Sequence, residues 1–402
     1  MSREEPGFQD DKCSICGSEI DAHGSEERLC RKCEREVTGE ANPDQDESVA
    51  GPYIADTRTY DIRFTGSAGE FFRIWIVNTF LTIITLGIYA AWAKVRNRQY
   101  FYRNTLLDGH VFDYTANPVA ILKGNLIVGG GAVIYAMTEV FNPLYSAMVV
   151  LVFSLFIPFL VYKSLRFMSR NSVYRNVSFG FRGSLSDSYV TYLLYPFLIP
   201  FTLGLIMPYW AYAKKKYFFG NMQFGTTENK FRGKPGSFYA KYAQVSVFTV
   251  SVLILIGVVT FAGKSAISEL FTGYTGVQNG MVLLFMFMFY MALFMFVTLI
   301  QQYIYAWMTN YCFIQSSLGS LSFQSTLKGK SLMWIRVTNV AAILFSLGLL
   351  IPWAQIRRTR YILENLKVVT DGNLDEFQAA SRPEEGALGE ASTDFFDLEI
   401  GL

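Results

Sequence analysis

Seven long apolar stretches constrain the fold of this chain more than any other feature of its sequence. They lie at roughly 71–93, 119–139, 144–163, 189–212, 240–263, 281–302 and 331–354. A bilayer core about 30 Å thick is crossed by about 20 helical residues, and backbone groups in lipid must be paired within the element. The stretches therefore predict an all-α, multi-pass membrane protein with short soluble ends.

Composition excludes two other classes of protein. Of the 402 residues, 51% are hydrophobic and 17% are charged, whereas a soluble globular protein carries about 25% charged residues. The 35 Phe and 24 Tyr also exclude a disordered chain.

Basic residues are concentrated in the middle of the chain. Residues 1–50 hold six basic and 14 acidic residues, and residues 371–402 hold one and nine, so 51–370 holds 28 and ten. Lys and Arg between apolar runs are typical of a cytoplasmic face that meets anionic headgroups. We expect the lipid bilayer, in particular anionic phospholipid, as a partner. We expect no nucleic acid, because spanning-length apolar segments flank the basic clusters.

Three of the apolar stretches share a motif. Gly87, Gly204 and Gly348 each follow Thr-Leu or Ser-Leu, and each is followed by Tyr after 13 residues and by Asn after 17. A basic cluster lies in between in every copy: Lys94, Arg96 and Arg98; Lys214, Lys215 and Lys216; Arg357, Arg358 and Arg360. If A denotes the stretches with the motif and B and C the others, the order is A-B-C-A-B-C-A.

Two topologies fit this order. If every A segment crosses once, there are seven crossings and the basic clusters alternate between the two sides. All three clusters are equally basic, and the B–C loops at 140–143 and 264–280 contain one Lys between them. We therefore favour A segments that enter and return to one face, breaking near Thr-Leu-Gly or, in the second copy, at Pro196 or Pro200. Seven single crossings remain the alternative.

The favoured topology gives four true crossings and fixes an orientation. Residues 94–118 and 213–239 and both chain ends are expected in the cytoplasm, and the loop at 140–146 outside. No secretory signal precedes the first apolar stretch.

Short strand signals accompany the A segments. Residues 59–64 and 177–181 alternate between apolar and polar types, and Asp108-Gly109 and Asp371-Gly372 favour tight hairpin turns. These patterns predict small β-hairpins at the cytoplasmic face.

Several of these motifs resemble a known family. The run from Phe64-Thr-Gly through Thr85-Leu-Gly-Ile-Tyr-Ala-Ala-Trp-Ala-Lys-Val-Arg96 is similar to the YjgN-like inner-membrane proteins, domain of unknown function 898. Residues 174–184 and 348–357 carry the same likeness, which covers roughly 58–370. The resemblance implies a multi-pass protein of the bacterial inner membrane and implies no reaction. The amino-terminal cysteines are an addition to the family pattern.

Four cysteines near the amino terminus have the spacing of a metal site. Cys13 and Cys16 form one C-x2-C pair, and Cys30 and Cys33 form another after 13 residues. Two such pairs present four thiolates to one tetrahedral ion, which predicts a structural Zn²⁺ in a zinc-ribbon-like module. Two disulfides, free thiols and iron in a rubredoxin-like site are the alternatives. Such a module could also recruit a protein partner.

The sequence thus divides into four parts. We expect a zinc-ribbon-like module at 1–40, an acidic linker at 41–57, the repeat-containing membrane domain at 58–370 and an acidic, disordered tail at 371–402.

Catalytic motifs are lacking, so we expect no enzyme. His23 and His110 are interpreted as surface residues, and no nucleophile–base set is apparent. Asn78 and Asn339 each lie nine residues before the motif Gly, inside apolar stretches. Polar groups in the membrane are costly and often functional, so the two Asn could line a polar path. Hydrogen bonding between helices is the simpler explanation.

Two functions remain open. The first is a transporter or channel-like protein whose broken A helices line a polar path. The second is a lipid-organising or partner-recruiting scaffold, in which the basic clusters bind phospholipid headgroups.

Overall fold

Ten short strands alternate along the chain with five helical hairpins. The computed structural model describes residues 58–270 and 275–370, and every count below refers to these residues. The strands are β1 (Arg58–Phe64), β2 (Thr105–Leu107), β3 (His110–Tyr114), β4 (Ser172–Tyr174), β5 (Val177–Phe181), β6 (Met222–Phe224), β7 (Thr227–Phe231), β8 (Ser316–Leu318), β9 (Leu321–Ser325) and β10 (Leu366–Thr370).

The strands form a closed, antiparallel barrel in which each strand pairs with the next in the chain. β10 closes the barrel on β1, with Arg58 opposite Thr370 and Asp61 opposite Lys367. Closure leaves no strand edge without a partner, which allows strands as short as three residues to persist.

Alternation along the strands places apolar side chains inside the barrel. In β1, Ile62 and Phe64 are buried, whereas Asp61 and Arg63 are exposed. The buried face of the strands contributes to one continuous hydrophobic cluster, which includes Ile62, Phe64, Leu107, Tyr174, Val177, Phe224, Leu318, Leu321, Leu366 and Val368. A barrel with a charged exterior and an apolar interior is suited to an aqueous environment, whereas barrels that span membranes have an apolar exterior and a polar interior.

The helical hairpins connect each odd-numbered strand to the next even-numbered strand. Hairpin 1 is α1 (Ala68–Ile84) and α2 (Ala90–Arg103), and hairpin 2 is α3 (Pro118–Phe141) and α4 (Pro143–Asn171). Hairpin 3 is α5 (Leu185–Tyr189), a π-helical turn (Val190–Leu194), α6 (Tyr195–Phe201) and α7 (Met207–Phe219). Hairpin 4 is α8 (Pro235–Leu270) and α9 (Thr275–Ile314), and hairpin 5 is α10 (Gly329–Phe345) and α11 (Ile351–Glu364).

All five hairpins leave the barrel at the same end. Because neighbouring strands are antiparallel, every connection after an odd-numbered strand lies at one end, the helical rim. The four tight turns lie at the other end, the turn rim, where β1 also begins and β10 ends.

The hairpins pack side by side around the helical rim. The second arm of each hairpin contacts the first arm of the next, and α11 of hairpin 5 contacts α1 of hairpin 1. At this last junction Arg360 donates a hydrogen bond of 2.7 Å to the Gly66 carbonyl, 294 positions away in sequence. Clusters of buried apolar side chains stabilise other junctions. One such cluster, between hairpins 2 and 3, consists of Val161, Leu165, Phe181 and Tyr217.

Four helices in the described residues are long and apolar enough to cross a membrane. These spans are Pro118–Phe141, Pro143–Asn171, Pro235–Gly263 and Gly280–Ile314. They belong to hairpins 2 and 4, the long hairpins, and correspond to the four B and C stretches of the sequence. The A stretches form hairpins 1, 3 and 5, the short hairpins.

The prediction of an all-α fold is wrong, because the ten strands close into a barrel. The strand patterns at 59–64 and 177–181 and the turn at Asp108-Gly109 do form strands and a turn, but not separate small hairpins. Strands of three residues, such as β2 and β4, are too short to show alternation. The helical hairpins bring them together by returning the chain to the point where it left the barrel.

Each A stretch leaves and re-enters the helical rim. Its first arm spans 17 residues in every copy and ends at the Thr-Leu-Gly or Ser-Leu-Gly motif. Pro196 and Pro200 lie within the helical first arm of hairpin 3, so the break falls at the glycine motif. The zinc-ribbon-like module, the acidic linker, the acidic tail and the turn expected at Asp371-Gly372 lie outside the described residues.

Candidate membrane-interface site

A repeated hydrogen-bonded seam fixes each hairpin to the barrel. The residue after each odd-numbered strand donates its N–H to the carbonyl of the residue before the returning strand, over 2.8–3.0 Å. The five pairs are Thr65 and Asn104, Thr115 and Asn171, Arg182 and Asn221, Arg232 and Gln315, and Thr326 and Asn365. Five equivalent seams give the five hairpins the same starting height on the rim.

The Tyr and Asn of the sequence repeat belong to this seam. The Asn365 side chain donates to the Tyr361 carbonyl at 2.7 Å, and the Tyr361 hydroxyl accepts from the Lys328 N–H at 3.0 Å. Asn104 and Tyr100 make the corresponding bonds in hairpin 1. The repeated residues therefore hold the base of the hairpin and position the parts of its two arms that lie farther from the barrel.

The glycine motif forms the tip of each short hairpin. Leu86 and Gly87 adopt positive φ values of 50° and 92°, and the Gly87 N–H donates to the Thr82 carbonyl at 2.8 Å. Leu203 and Leu347 repeat this conformation in hairpins 3 and 5. The three Leu side chains are 92–94% exposed, so each tip presents an apolar side chain away from the barrel.

Asn78 and Asn339, the proposed polar path, are both buried, and the contacts they make lie within single hairpins. Asn78 donates to the Asn97 side chain at 2.9 Å, which joins α1 to α2. Asn339 donates to the Ala354 carbonyl at 3.1 Å and accepts from Arg357 at 3.2 Å, which joins α10 to α11. Both contacts tie the two arms of one hairpin together.

The three basic clusters of the sequence lie on the second arms of the short hairpins. Their cations lie five to ten residues before the seam Asn, which is about 8 to 15 Å from the helical rim at about 1.5 Å per helical residue. Their members are Lys94, Arg96 and Arg98 on α2, Lys214, Lys215 and Lys216 on α7, and Arg357, Arg358 and Arg360 on α11.

Sequence reasoning missed that other arms carry cations at the same height. These residues are Arg73 on α1, Lys123 on α3, Lys163 and Arg166 on α4, Lys241 on α8 and Arg336 on α10. Together with the three clusters they form one layer, the collar. At this height the ten arms carry 15 Lys and Arg but only two carboxylates, Glu70 on α1 and Asp187 on α5, both five residues from the seam. The signal was present as basic residues near the ends of the apolar stretches, but only the hairpin topology shows that they share a level.

Aromatic rings hold many collar cations. The Lys214 ammonium lies 3.7 Å from the centre of the Trp210 ring, and Lys241 lies 4.6 Å from that of Tyr303. Arg357 lies over Trp353, and Arg358 over Tyr305. Cation–π contacts restrict these side chains at this height.

All six Trp also lie on the arms near this level. They occupy positions eight to 12 residues from the seam residue of their arm, about 12 to 18 Å from the rim at about 1.5 Å per residue. These residues are Trp75, Trp92, Trp210, Trp307, Trp334 and Trp353. Trp and basic side chains together are typical of a membrane–water interface.

Ion pairs with carboxylates lie mainly on the barrel and at the helical rim, although the collar residue Arg360 also lies 4.0 Å from Glu364. Arg175 pairs with Asp108 at 2.9 Å at the turn rim, and Lys367 pairs with Asp61 at 3.0 Å on the barrel exterior. Within the described part of the chain, no carboxylate lies within ion-pair distance of Arg96 or Lys216.

One ion pair at the helical rim shifts a pKa. Partial burial opposes ionisation of Asp113, but hydrogen bonds from the Arg103 guanidinium and the Tyr114 N–H outweigh it and lower the pKa of this carboxyl. The Arg103 Nε lies 2.8 Å from Asp113 Oδ1.

The predicted zinc ligands Cys13, Cys16, Cys30 and Cys33 lie outside the described residues. Within the described ranges, no group of three or more His, Cys, Asp or Glu side chains could hold a metal ion. Cys312 is fully buried in α9.

Four described helices that are long and apolar enough to cross a membrane, beside a layer of Lys, Arg and Trp, are typical of a multi-pass membrane protein. Residues 59–395 match the family described as bacterial protein of unknown function (DUF898), and the chain belongs to this family. The expectation of a YjgN-like protein is thereby confirmed.

Two curated relatives are named inner membrane protein YjgN. The protein of Salmonella typhimurium is 24% identical over 377 residues, which cover 80% of this chain and 91% of the relative. The protein of Escherichia coli K12 is 27% identical over 157 residues, 38% of each chain. No solved structure matches this chain.

Proposed function

We propose that this protein is a lipid-organising scaffold of the inner membrane, with its barrel in the cytoplasm and its collar against anionic phospholipid. The observation that carries the proposal is the collar itself, a layer of Lys, Arg and nearby Trp at one height on the hairpins, in which 15 cations far outnumber two carboxylates. Juxtamembrane cations attract anionic headgroups by about 1 kcal/mol per residue. Cytoplasmic orientation follows from the preference of such residues for that side.

The apolar lengths of the hairpins support this placement. Beyond the collar, residues 124–162 carry one charge, Glu139, and extend each arm of hairpin 2 by about 27 to 30 Å at about 1.5 Å per residue. That distance matches the hydrocarbon core of about 30 Å. The collar then lies at the headgroups and the barrel outside them.

A scaffold accounts for the interior contacts better than a transport path. The barrel interior holds a continuous cluster of buried apolar residues that extends to Phe71 and Leu332 at the hairpin bases. Asn78 and Asn339 make their contacts within separate hairpins. Transport would call for a hydrated route through these regions.

Spin-labelled lipids test the proposal directly. In vesicles containing the full-length protein, the motionally restricted lipid should be enriched in phosphatidylglycerol over phosphatidylcholine. Arg96→Gln with Lys216→Gln removes two exposed collar cations and should reduce this preference several-fold, at about fivefold per side chain as an upper limit.

A matched control removes the same charge elsewhere. Arg63→Gln with Lys230→Gln neutralises two exposed cations on the barrel exterior and should leave the preference unchanged. Equal losses in both variants, or no selectivity in the wild-type protein, would refute the collar as the lipid site.

The cysteine module is a separate proposal that rests on spacing alone. Four thiolates from Cys13, Cys16, Cys30 and Cys33 would bind one structural Zn²⁺. Elemental analysis of the purified full-length protein should give one zinc per chain, which is lost in Cys13→Ser with Cys16→Ser. Less than half an equivalent in the wild-type protein would exclude the site.

A further inference from the structure

The short hairpins are too short to cross the bilayer from the collar. Their second arms carry four to seven uncharged residues between the tip and the first cation, and their first arms carry nine to 14 between the tip and the nearest charged residue. At about 1.5 Å per residue these segments extend between about 6 and 21 Å, less than the core of about 30 Å.

The tips of the short hairpins are nevertheless built for lipid. Leu86, Leu203 and Leu347 are 92–94% exposed, and Phe345 beside Leu347 is 92% exposed. No charged residue lies within 74–93, 188–213 or 337–356. Apolar tips of this size fit the hydrocarbon region of the nearer leaflet, where the collar holds their bases at the headgroups.

The two leaflets therefore meet very different cross-sections of the protein. In the proposed placement all ten arms of the five hairpins enter the leaflet beside the barrel, whereas four described helices are long enough to reach the other leaflet. A helix about 10 Å across occupies about 80 Å², so six additional arms add about 500 Å² to one leaflet.

We propose that the protein acts as a leaflet-specific wedge that prefers membranes curved convexly toward its barrel. The three short hairpins expand only the barrel-side leaflet, and bending toward that side relieves the mismatch in area. The exposed apolar tips thus contact the acyl chains of one leaflet. This inference rests on the membrane placement of the proposed function, but not on the preference of the collar for anionic lipid.

Membrane tubes pulled from giant vesicles test the wedge. Full-length labelled protein with its barrel outward should give a tube-to-sphere density ratio above one, which increases as the tube narrows. Leu86→Asp, Leu203→Asp and Leu347→Asp together draw the tips toward the headgroups and should return the ratio to one. The apolar substitution of the same three residues by Met is the matched control and should keep the enrichment.

Depth measurement keeps the proposal testable if the Asp variant does not fold. A nitroxide is attached to Leu203→Cys in a background with the five native cysteines replaced by Ser. Its depth below the phosphates of the barrel-side leaflet should be no more than the thickness of that leaflet. A label near the opposite headgroups, or a wild-type ratio of one on narrow tubes, would overturn the wedge.

The two proposals fail independently in these experiments. All tubes have the same fraction of phosphatidylglycerol, so loss of lipid selectivity with retained enrichment would refute the collar site alone. Retained selectivity with no enrichment would refute the wedge alone.

Discussion

At the scale of single residues, the sequence repeat marks structural positions. Gly87, Gly204 and Gly348 have φ values of 82–92°, which L side chains rarely adopt. The repeated Tyr and Asn join each hairpin to its strand. What the repeat preserves is therefore the turn at the tip and the seam at the base, and the cations between them are positioned by both.

Gly348→Ala should destabilise the protein through the backbone. An added Cβ would meet only Ile351 Cδ1, at an ordinary contact distance of 3.7 Å, so the cost is the positive φ of 92°. We expect a loss of about 1 to 2 kcal/mol, measured by unfolding in detergent. Gly129→Ala is the control, since Gly129 lies within α3 with open space around its Cα. This control should be neutral or stabilising. Equal losses of stability in the two variants would contradict the assignment of the cost to the positive φ of Gly348.

Tyr361→Phe should weaken the seam of hairpin 5. Its hydroxyl accepts from the Lys328 N–H, which precedes α10 and lacks a side-chain cap. Removing this acceptor should cost about 1 kcal/mol, seen as a lower unfolding midpoint in detergent. Tyr135→Phe on α3 removes a hydroxyl for which no hydrogen bond is found in the described residues and should change the midpoint little. A Tyr361→Phe midpoint at the wild-type value would contradict the seam.

At the scale of elements, the sequence predicts the helices better than the strands. Apolar length identifies the B and C helices, and the glycine motif identifies the break in each A stretch. The equivalence of the long and short hairpins is hidden, because only the short ones carry the glycine motif. The long hairpins share the seam instead, where Asn171 and Gln315 take the place of the repeated Asn. A strand of three residues carries too few positions to show its alternation.

The collar was predictable only in part, because the sequence does not show the height of a residue on its hairpin. The three clusters are visible in the sequence, but the heights of Lys163, Arg166 and Lys241 depend on where their helices meet the rim. That level is set by hydrogen bonds between residues 39–83 positions apart.

The rim ion pair between Arg103 and Asp113 gives an expected pH dependence. The folded-state pKa of Asp113 lies below its ordinary value of 3.8. Its contribution is therefore complete above the pKa of the unfolded chain and is lost as pH falls through the lower, folded value. Both side chains are over one third exposed, so the contribution is below about 1 kcal/mol.

Asp113→Asn reveals this contribution in unfolding midpoints between pH 3 and pH 7. The variant should be slightly less stable than the wild-type protein at pH 7, and the difference should shrink below about pH 4. A difference that widens toward acid pH would show that burial, which raises the pKa, dominates instead.

At the scale of the whole molecule, the barrel and the hairpins divide the protein between two solvents. The barrel has a charged exterior and an apolar interior, whereas the long hairpins expose apolar side chains along most of their length. The collar lies between these regions. Because every hairpin starts at the same rim, one barrel sets the depth of all ten arms.

Cysteine accessibility in intact cells tests this placement most directly. Single cysteines at Ser320 on the turn rim, Leu203 at a short tip and Asn142 at the apex of hairpin 2 report on three depths. With the native cysteines replaced by Ser, an impermeant reagent outside the inner membrane should label Asn142→Cys alone. Ser320→Cys should react only after the membrane is opened, and Leu203→Cys should stay protected throughout. Labelling of Ser320→Cys or Leu203→Cys from outside would contradict a cytoplasmic barrel with short hairpins that enter one leaflet.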